Sequence, residues 1–321
     1  MCPPLTSIEF CAGAGGQALG LERAGFEHRL LVDNDAHCVE SLKLNRPKWN
    51  SLIADMNSFD ASEHVGVDLF AGGLPCPPFS VAGKQLGDKD ERNLFPAALQ
   101  IIEATKPKFV LIENVRGFLS TTFADYREAL RASFKSLGYS IDWRLFNACE
   151  FGVPQLRPRV TIVAAQTAYW ENFAFPMPKR SKPKSVGETL HDLMAENGWH
   201  GARAWADQAD QIAPTIVGGS KKHGGPDLGP TRARAAWLKL GVNGKSIAEV
   251  APEEDFEGLP RLTPRMVARI QGFPDNWVFS GKKTNAYRQI GNAFPPPVAE
   301  AIGKQIRMAI RQTETSAIAA E

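Results

Sequence analysis

Short apolar runs alternate with amphipathic stretches along the first third of the chain. Ser7-Ile8-Glu9-Phe10, Arg29-Leu30-Leu31-Val32, Val67-Asp68-Leu69-Phe70-Ala71 and Lys108-Phe109-Val110-Leu111-Ile112 read as strands, and residues 17–24, 36–45, 94–105 and 126–137 read as helices. Strands alternating with helices predict an α/β fold, a mostly parallel sheet with helices on both faces. Two further strands, 139–147 and 160–164, follow each other without a helix between them and predict an antiparallel edge. Pro and Lys dominate 175–184, which marks a boundary. From there to about Gly258 the periodicity is weak, and helical character resumes at 264–270 and 297–311. The pattern predicts a large domain from 1–180 rejoined by 285–321, a smaller irregular domain from 181–284, and a frayed tail after Gln312.

Composition narrows the class. Of 321 residues 43% are hydrophobic and 22% charged, values of a globular chain and not of a disordered one. Lys plus Arg number 37 and Asp plus Glu 35, so the net charge is +2, which excludes a uniformly basic coat but leaves room for a local basic face. No run approaches the ~18 apolar residues of a membrane span, and the start lacks a basic region followed by a long apolar core. A cytoplasmic protein without a membrane partner is expected. The five cysteines are scattered and form no Cys-x-x-Cys pair, so neither a disulfide framework nor a zinc site is expected, and no other metal.

Cys11-Ala12-Gly13-Ala14-Gly15-Gly16-Gln17-Ala18 lies between a strand and a helix and fits Gly-x-Gly-x-x-Gly/Ala through Gly13, Gly15 and Ala18. Glycines at these positions permit a tight turn and close approach of backbone to a ligand at the helix start. Asp33 follows Gly13 by twenty residues at the end of the next strand, where a carboxylate can bind ribose hydroxyls. Asp55 ends a third short strand, within reach of an adenine amino group. The loop by itself leaves a nicotinamide nucleotide and S-adenosylmethionine both open. No phosphate-binding Gly-x-x-x-x-Gly-Lys-Ser/Thr is present, which removes that class of nucleotide hydrolase.

Gly72-Gly73-Leu74-Pro75-Cys76-Pro77-Pro78-Phe79-Ser80 follows directly on a strand, at the end where open α/β sheets place ligands. Three prolines fix the backbone beside Cys76. A core cysteine sits inside an apolar run; a thiol held this way is positioned. Gly218 to Lys245 carries six basic residues, Lys221, Lys222, Arg232, Arg234, Lys239 and Lys245, against the single acid Asp227, a composition suited to phosphates and base edges.

Phe10 to Gly16, Pro75-Cys76-Pro77-Pro78-Phe79-Ser80, Glu113-Asn114-Val115, Gln155-Leu156-Arg157-Pro158-Arg159, Arg261-Leu262-Thr263-Pro264-Arg265 and Gln289-Ile290-Gly291-Asn292-Ala293 occur in this order. Over about 8–310 the chain resembles the DNA (cytosine-5) methyltransferases of bacterial restriction–modification systems. The resemblance implies a Rossmann-like methyltransferase sheet, S-adenosyl-L-methionine as cofactor with S-adenosyl-L-homocysteine as product, double-stranded DNA as partner and a monomer with no obligate protein partner. It implies cofactor contacts from Phe10, Gly13, Gly15, Gly16, Asp33, Asn34, Asp55, Pro75 and Asn292. It implies DNA contacts from Ser80 and Gln85, with Lys221, Lys222, Arg232 and Arg234 in the variable target-recognition region. Asp33 stands where glutamate is usual for the ribose, and Asn34 where a bulkier residue often stacks on adenine.

Cytosine C5 is a poor nucleophile, and a thiolate adding at C6 makes it enamine-like. The resemblance makes Cys76 that thiol, Glu113 the group engaging ring N3 and the exocyclic amine, and Arg157 and Arg159 catalytic, with Arg159 on the O2 side. Asn114 is expected to hold its loop. The target base must leave the duplex, and 81–92 reads as a covering lid. Amino-group methyltransferases carry Asp, Asn or Ser before Pro-Pro and need no thiol; Cys76 argues against them. An RNA cytosine-5 enzyme shares the chemistry, and the divergent target region favours DNA. Residues 213–219 with 221–225 look similar to recognition segments for short GGNCC-like palindromes.

Overall fold

The apolar runs of the first third form strands because Val, Ile, Leu and Phe occupy both faces of each, and helices cover both sides. The computed structural model describes residues 3–74, 93–178, 182–218 and 227–320. Seven strands, β1 (Leu5–Phe10), β2 (Phe26–Asp33), β3 (Ser51–Ile53), β4 (Leu69–Gly72), β5 (Phe109–Val115), β6 (Tyr139–Asn147) and β7 (Pro158–Gln166), make one sheet in the order β3-β2-β1-β4-β5-β7-β6. The first five pair in parallel, with Glu9 opposite Leu31 and Ala71; β7 runs antiparallel to β5, with Val115 opposite Arg159. The antiparallel edge expected from two helix-less strands is present.

The chain divides into two compact units: Met1–Phe146, Pro158–Met177 and Val298–Glu321 form the first, and Asn147–Arg157 with Pro178–Pro297 the second. This differs from the sequence expectation in two places. The turn 147–157 and residues 285–297 go with the second unit, because their polar groups bond to partners inside it.

In the first unit, α1 (Gly16–Ala24), α2 (Ala36–Asn45), α3 (Phe95–Thr105), α4 (Ala124–Ser136), the single turn α5 (Thr167–Trp170) and most of α11 (Pro296–Ala320) accompany the sheet. Ile8, Phe10, Phe70, Val110, Ile112 and Ile162 from the strands share one core with Ala98, Ile102 and Phe134 from the helices. Ala12, Ala18, Leu31 and Leu42 form a smaller cluster with Trp49. The tail after Gln312 is not frayed: α11 continues to Ala320. Glu314 explains the difference, since its carboxylate lies 2.5 Å from Lys108 Nζ, which is also 2.7 Å from Asp68.

The second unit was expected to be irregular between the boundary and Gly258. It contains three helices there, α6 (Val186–Met194), α7 (Ala202–Gln208) and α8 (Thr231–Lys239), followed by α9 (Pro264–Gln271) and α10 (Lys283–Asn292). Among the described residues its only β pairing is three isolated bridges. Leu190, Trp205, Trp237, Leu262, Met266 and Ile290 are buried in it. Among the described residues no helix is long and apolar enough to cross a membrane.

Candidate active site

The glycine loop turns on three consecutive departures to positive φ: Cys11 at 53°, Gly13 at 54° and Gly15 at 86°. Only Cys11 carries a side chain there, and such backbone positions cluster at functional sites. The turn is closed by Ala12 N–H on the Val32 carbonyl (3.0 Å) and Gly15 N–H on the Ala12 carbonyl (3.0 Å). Gly15 caps α1 without a side-chain hydrogen bond, which leaves the first amides of the helix available to an anion. A Cβ at Gly13 would meet nothing within 4 Å, so the loop faces open space. Gly16 is buried as the first residue of α1, and Ala18 packs in the cluster with Leu31.

Asp33, at the end of β2, accepts the Gly13 N–H on one oxygen and the Asp35 N–H on the other, each at 2.8 Å. Two backbone amides thereby orient its carboxylate. Asp55, two residues beyond β3, accepts from Asn57 N (2.9 Å) and Nδ2 (3.0 Å) through Oδ1. Both acids line one cavity of about 340 Å³ together with Cys11, Val32, Asn34, Ala54, Met56, Asn57 and Leu94. That volume lies at the lower end of small-molecule sites. Met56, Asn57 and Leu94 were not anticipated; Met56 and Asn57 follow Asp55 directly, and that adjacency was the available signal.

Phe10 is corrected. Its ring is fully buried between Phe59 and Phe70, at centroid distances of 5.2 and 5.8 Å, and lines no part of the cavity. It seats the strand from which the loop springs. Asn292 lies in the second unit at the end of α10, its amide oxygen against Gly218.

At the ends of the neighbouring strands, Arg159 Nε lies 2.6 Å from Glu113 Oε1 and both side chains are largely buried. Arg159 also donates to the Pro158 carbonyl (2.9 Å), which fixes the guanidinium. A Cβ at Gly73, after β4, would sit 3.8 Å from Glu113 Oε2 and 3.5 Å from the Cys11 carbonyl. The C-terminal ends of β1 to β5 therefore gather the glycine loop, Asp33, Asp55, Gly73 and Glu113 along one edge. The strand order reverses there between β1 and β4, the place where open α/β sheets bind ligands. Asn114 is buried and accepts its neighbour Val115 N–H (2.8 Å), a local holding role.

Arg157 is corrected as well. It does not extend along β7 beside Arg159 but is fully buried in the second unit, donating to the carbonyls of Ile216, Gly291 and Ala293. Its guanidinium holds backbone. Arg232 is exposed on α8, while Arg234 is half-buried with Asp227 3.8 Å away. Pro75, Cys76, Ser80, Gln85, Lys221, Lys222 and the expected lid 81–92 lie outside the described residues, except that Asn93 onward is described again.

The described cysteines are poor nucleophiles where their titration is shifted. Burial first, and then Asp33, Glu9 and Asp55, push the Cys11 thiol up to about 12. Burial and Glu150 raise Cys149. Neither is a thiolate at neutral pH.

A dinucleotide-type turn, a cavity with two acids and a paired Glu–Arg on one sheet edge define an α/β enzyme with a nucleoside-type site. The family model described as C-5 cytosine-specific DNA methylase matches residues 5–308, and the chain belongs to that family. It is 54% identical over 312 residues to the type II methyltransferase M.NaeI of Lentzea aerocolonigenes, covering 95% of this chain and 75% of the relative. It is 51% identical to M.NgoMIV of Neisseria gonorrhoeae, covering 96% and 98%. The fold matches the Dnmt2 methyltransferase of S. pombe with a TM-score of 0.65 at 19% identity, covering 96% of this chain and 99% of that one. It matches the Entamoeba histolytica methyltransferase EhMeth at 0.66 and 15%, covering 95% and 98%. The chain is a DNA (cytosine-5) methyltransferase of the restriction–modification type.

Proposed function

We propose that this enzyme transfers the methyl group of S-adenosyl-L-methionine to C5 of a cytosine turned out of a short specific duplex sequence, releasing S-adenosyl-L-homocysteine and protecting DNA from a partner endonuclease. The residues of the cavity fit that cofactor. Asp33, oriented by two amides, would hold the ribose hydroxyls and Asp55 the adenine amine; Val32, Ala54, Met56 and Leu94 supply an apolar bed. The free amides at the start of α1 suit the methionine carboxylate. When bound, S-adenosylmethionine supplies an electrophilic methyl group on its sulfonium.

In this reading the Cys76 thiolate bonds to C6, and the C5–C6 electron pair moves onto C5, which takes the methyl group. Glu113 holds N3 and the exocyclic amine and supplies the proton that relieves charge on the ring, while Arg159 orients Glu113 and polarises the O2 side. The C5 proton then leaves and the S–C6 bond breaks, restoring the double bond and the thiolate. The second unit reads the DNA through Lys221, Lys222, Arg232 and Arg234, with Ser80 and Gln85 of the first unit as further contacts and a GGNCC-like palindrome as the working sequence. The protein acts as a monomer without a membrane partner.

The observation that carries this reading is the Glu113–Arg159 pair on the same strand ends as the cavity, with Gly73, three residues before Cys76, beside Glu113 Oε2. Tritiated methyl transfer to duplex DNA and to tRNA tests it. Transfer to duplex is expected, abolished by Cys76→Ser and lowered at least ~10²-fold by Glu113→Gln, the scale of a lost general acid. Full activity of Cys76→Ser, or transfer to tRNA alone, overturns it.

A further inference from the structure

Three fully buried polar side chains of the second unit, Gln155, Arg157 and Gln271, hold the same backbone segments. Gln155 Nε2 donates to Gln271 Oε1 (2.7 Å), and Gln155 Oε1 accepts the Ile216 N–H (2.9 Å). Gln271 Nε2 donates to the Ala293 carbonyl (2.5 Å). Arg157 donates to the carbonyls of Ile216 (2.7 Å), Gly291 (2.7 Å) and Ala293 (3.1 Å). Backbone bonds join the same segments: Leu156 N–H to the Ala213 carbonyl (2.8 Å) and Ala213 N–H to the Pro154 carbonyl (3.0 Å).

The segment so held, 213–218, is pressed onto α10 without slack. A Cβ at Gly218 would lie 2.2 Å from Asn292 Oδ1 and 2.7 Å from the Arg288 carbonyl, and one at Gly291 would lie 2.4 Å from Gly218 Cα. Burying a guanidinium among carbonyls is costly unless its N–H groups are satisfied, and the return on that cost is one arrangement of chain instead of several.

We propose that Arg157, with Gln155 and Gln271, is a positioning clamp that fixes 213–218 against α10 and thereby sets sequence discrimination, without touching the cytosine. This rests on the reading that the second unit reads DNA. A half-satisfied polar network loses its uniqueness, so removing one member lets 213–218 shift and relaxes the choice of sequence.

The test uses the full-length enzyme and a duplex library carrying a randomised site, with bisulfite sequencing to score methylated cytosines. Arg157→Lys and Gln271→Met are compared with wild type, and S-adenosylhomocysteine affinity reports that the first unit stays folded. Both variants are expected to lose about tenfold in the rate ratio between the preferred site and its one-base neighbours, a factor equal to a 1.4 kcal/mol change. Their KM for the library should rise, and kcat at saturating DNA should stay within about threefold of wild type. A fall in kcat with discrimination and KM intact would make Arg157 a group acting at the base and overturn the clamp. Wild-type values throughout would overturn it too. If Arg157→Lys does not fold, Gln271→Met leaves the guanidinium in place and carries the same test. A wild-type enzyme that methylates nothing sinks the proposed function alone, and the variants' Kd for the library duplex then decides the clamp.

Discussion

At the scale of single residues, what was legible depended on how far the partner lay along the chain. Gly13 and Asp33 could be assigned from a spacing of twenty residues, because a strand–turn–helix–strand unit fixes their relation, and they are hydrogen-bonded at 2.8 Å. Arg157 could not, because its partners lie 59 to 136 residues away and no local pattern encodes them. Nor could Phe10, whose role is set by Phe59 and Phe70. His28 shows a role that burial, not spacing, decides. Its Nε2 donates to the Ala18 carbonyl (2.9 Å), so Nδ1 accepts from the Ser7 hydroxyl (2.8 Å), a neutral tautomer fully used. Burial pushes this imidazole from 6.5 down to about 4, against the smaller upward pull of Ala18 and Glu22. The unfolded chain thus takes up a proton as pH falls through about 6.5 that the folded chain resists until about 4. The stability His28 contributes is complete above pH 6.5, declines between the two values and is flat below, a span worth about 3 kcal/mol. The buried Glu9, raised by desolvation and by Asp33, works in the opposite direction, losing stability as pH rises above 4.5. Urea midpoints at pH 7 and 4.5 for wild type and His28→Gln separate the two. The wild type should lose more on acidification; equal losses would deny His28 the effect.

Among the elements, long and strongly periodic ones were recognised, and of the short helices α9 was while α6, α7 and α8 were not. The strands and helices of the first unit, the far end of α11 apart, were read within a few residues because each carries a continuous apolar run or a full amphipathic stripe. Helices α6, α7 and α8 span seven to nine residues and offer too few turns for periodicity to stand out. The start of α6 is legible in another way. Ser185-Val186-Gly187-Glu188 is the pattern of a reciprocal cap, and the structure contains it: Ser185 Oγ accepts the Glu188 N–H (3.1 Å) and Glu188 Oε2 accepts the Ser185 N–H (2.7 Å). The hydrogen bond from the Ser185 amide holds the Glu188 carboxyl below its ordinary range. Ser185→Ala should therefore destabilise the enzyme by ~1 kcal/mol, the usual cost of a lost N-cap, with methyl transfer otherwise intact. A denaturation curve superimposable on wild type would mean that α6 is held by packing alone.

For the molecule as a whole, charge is nearly balanced at +2, so attraction to DNA cannot come from an overall field and must come from local contacts. Several cations among the described residues of the second unit are already engaged: Arg269 bonds Asp192 and Asp275, Arg265 lies 2.7 Å from Glu196, and Lys283 lies 3.3 Å from Glu249. The Arg269–Asp192 pair ties α9 to α6, and cations paired in this way have little charge left to offer a phosphate. Arg232 differs from Arg234, which has Asp227 at 3.8 Å, in being exposed on α8. The two were grouped by sequence because both sit in one basic run; their surroundings separate them. If α8 faces a phosphate, each lost contact lowers the slope of log K against log salt by about 0.9. Arg232→Ala should flatten that slope by about one and weaken binding equally on preferred and scrambled duplexes, while Arg234→Ala should flatten it less, because Asp227 already offsets its charge. Fluorescence anisotropy across 50–300 mM salt (a range chosen to span roughly the physiological value) measures both. An Arg232→Ala slope equal to wild type would remove α8 from the interface and leave the remainder of the basic run to account for the affinity.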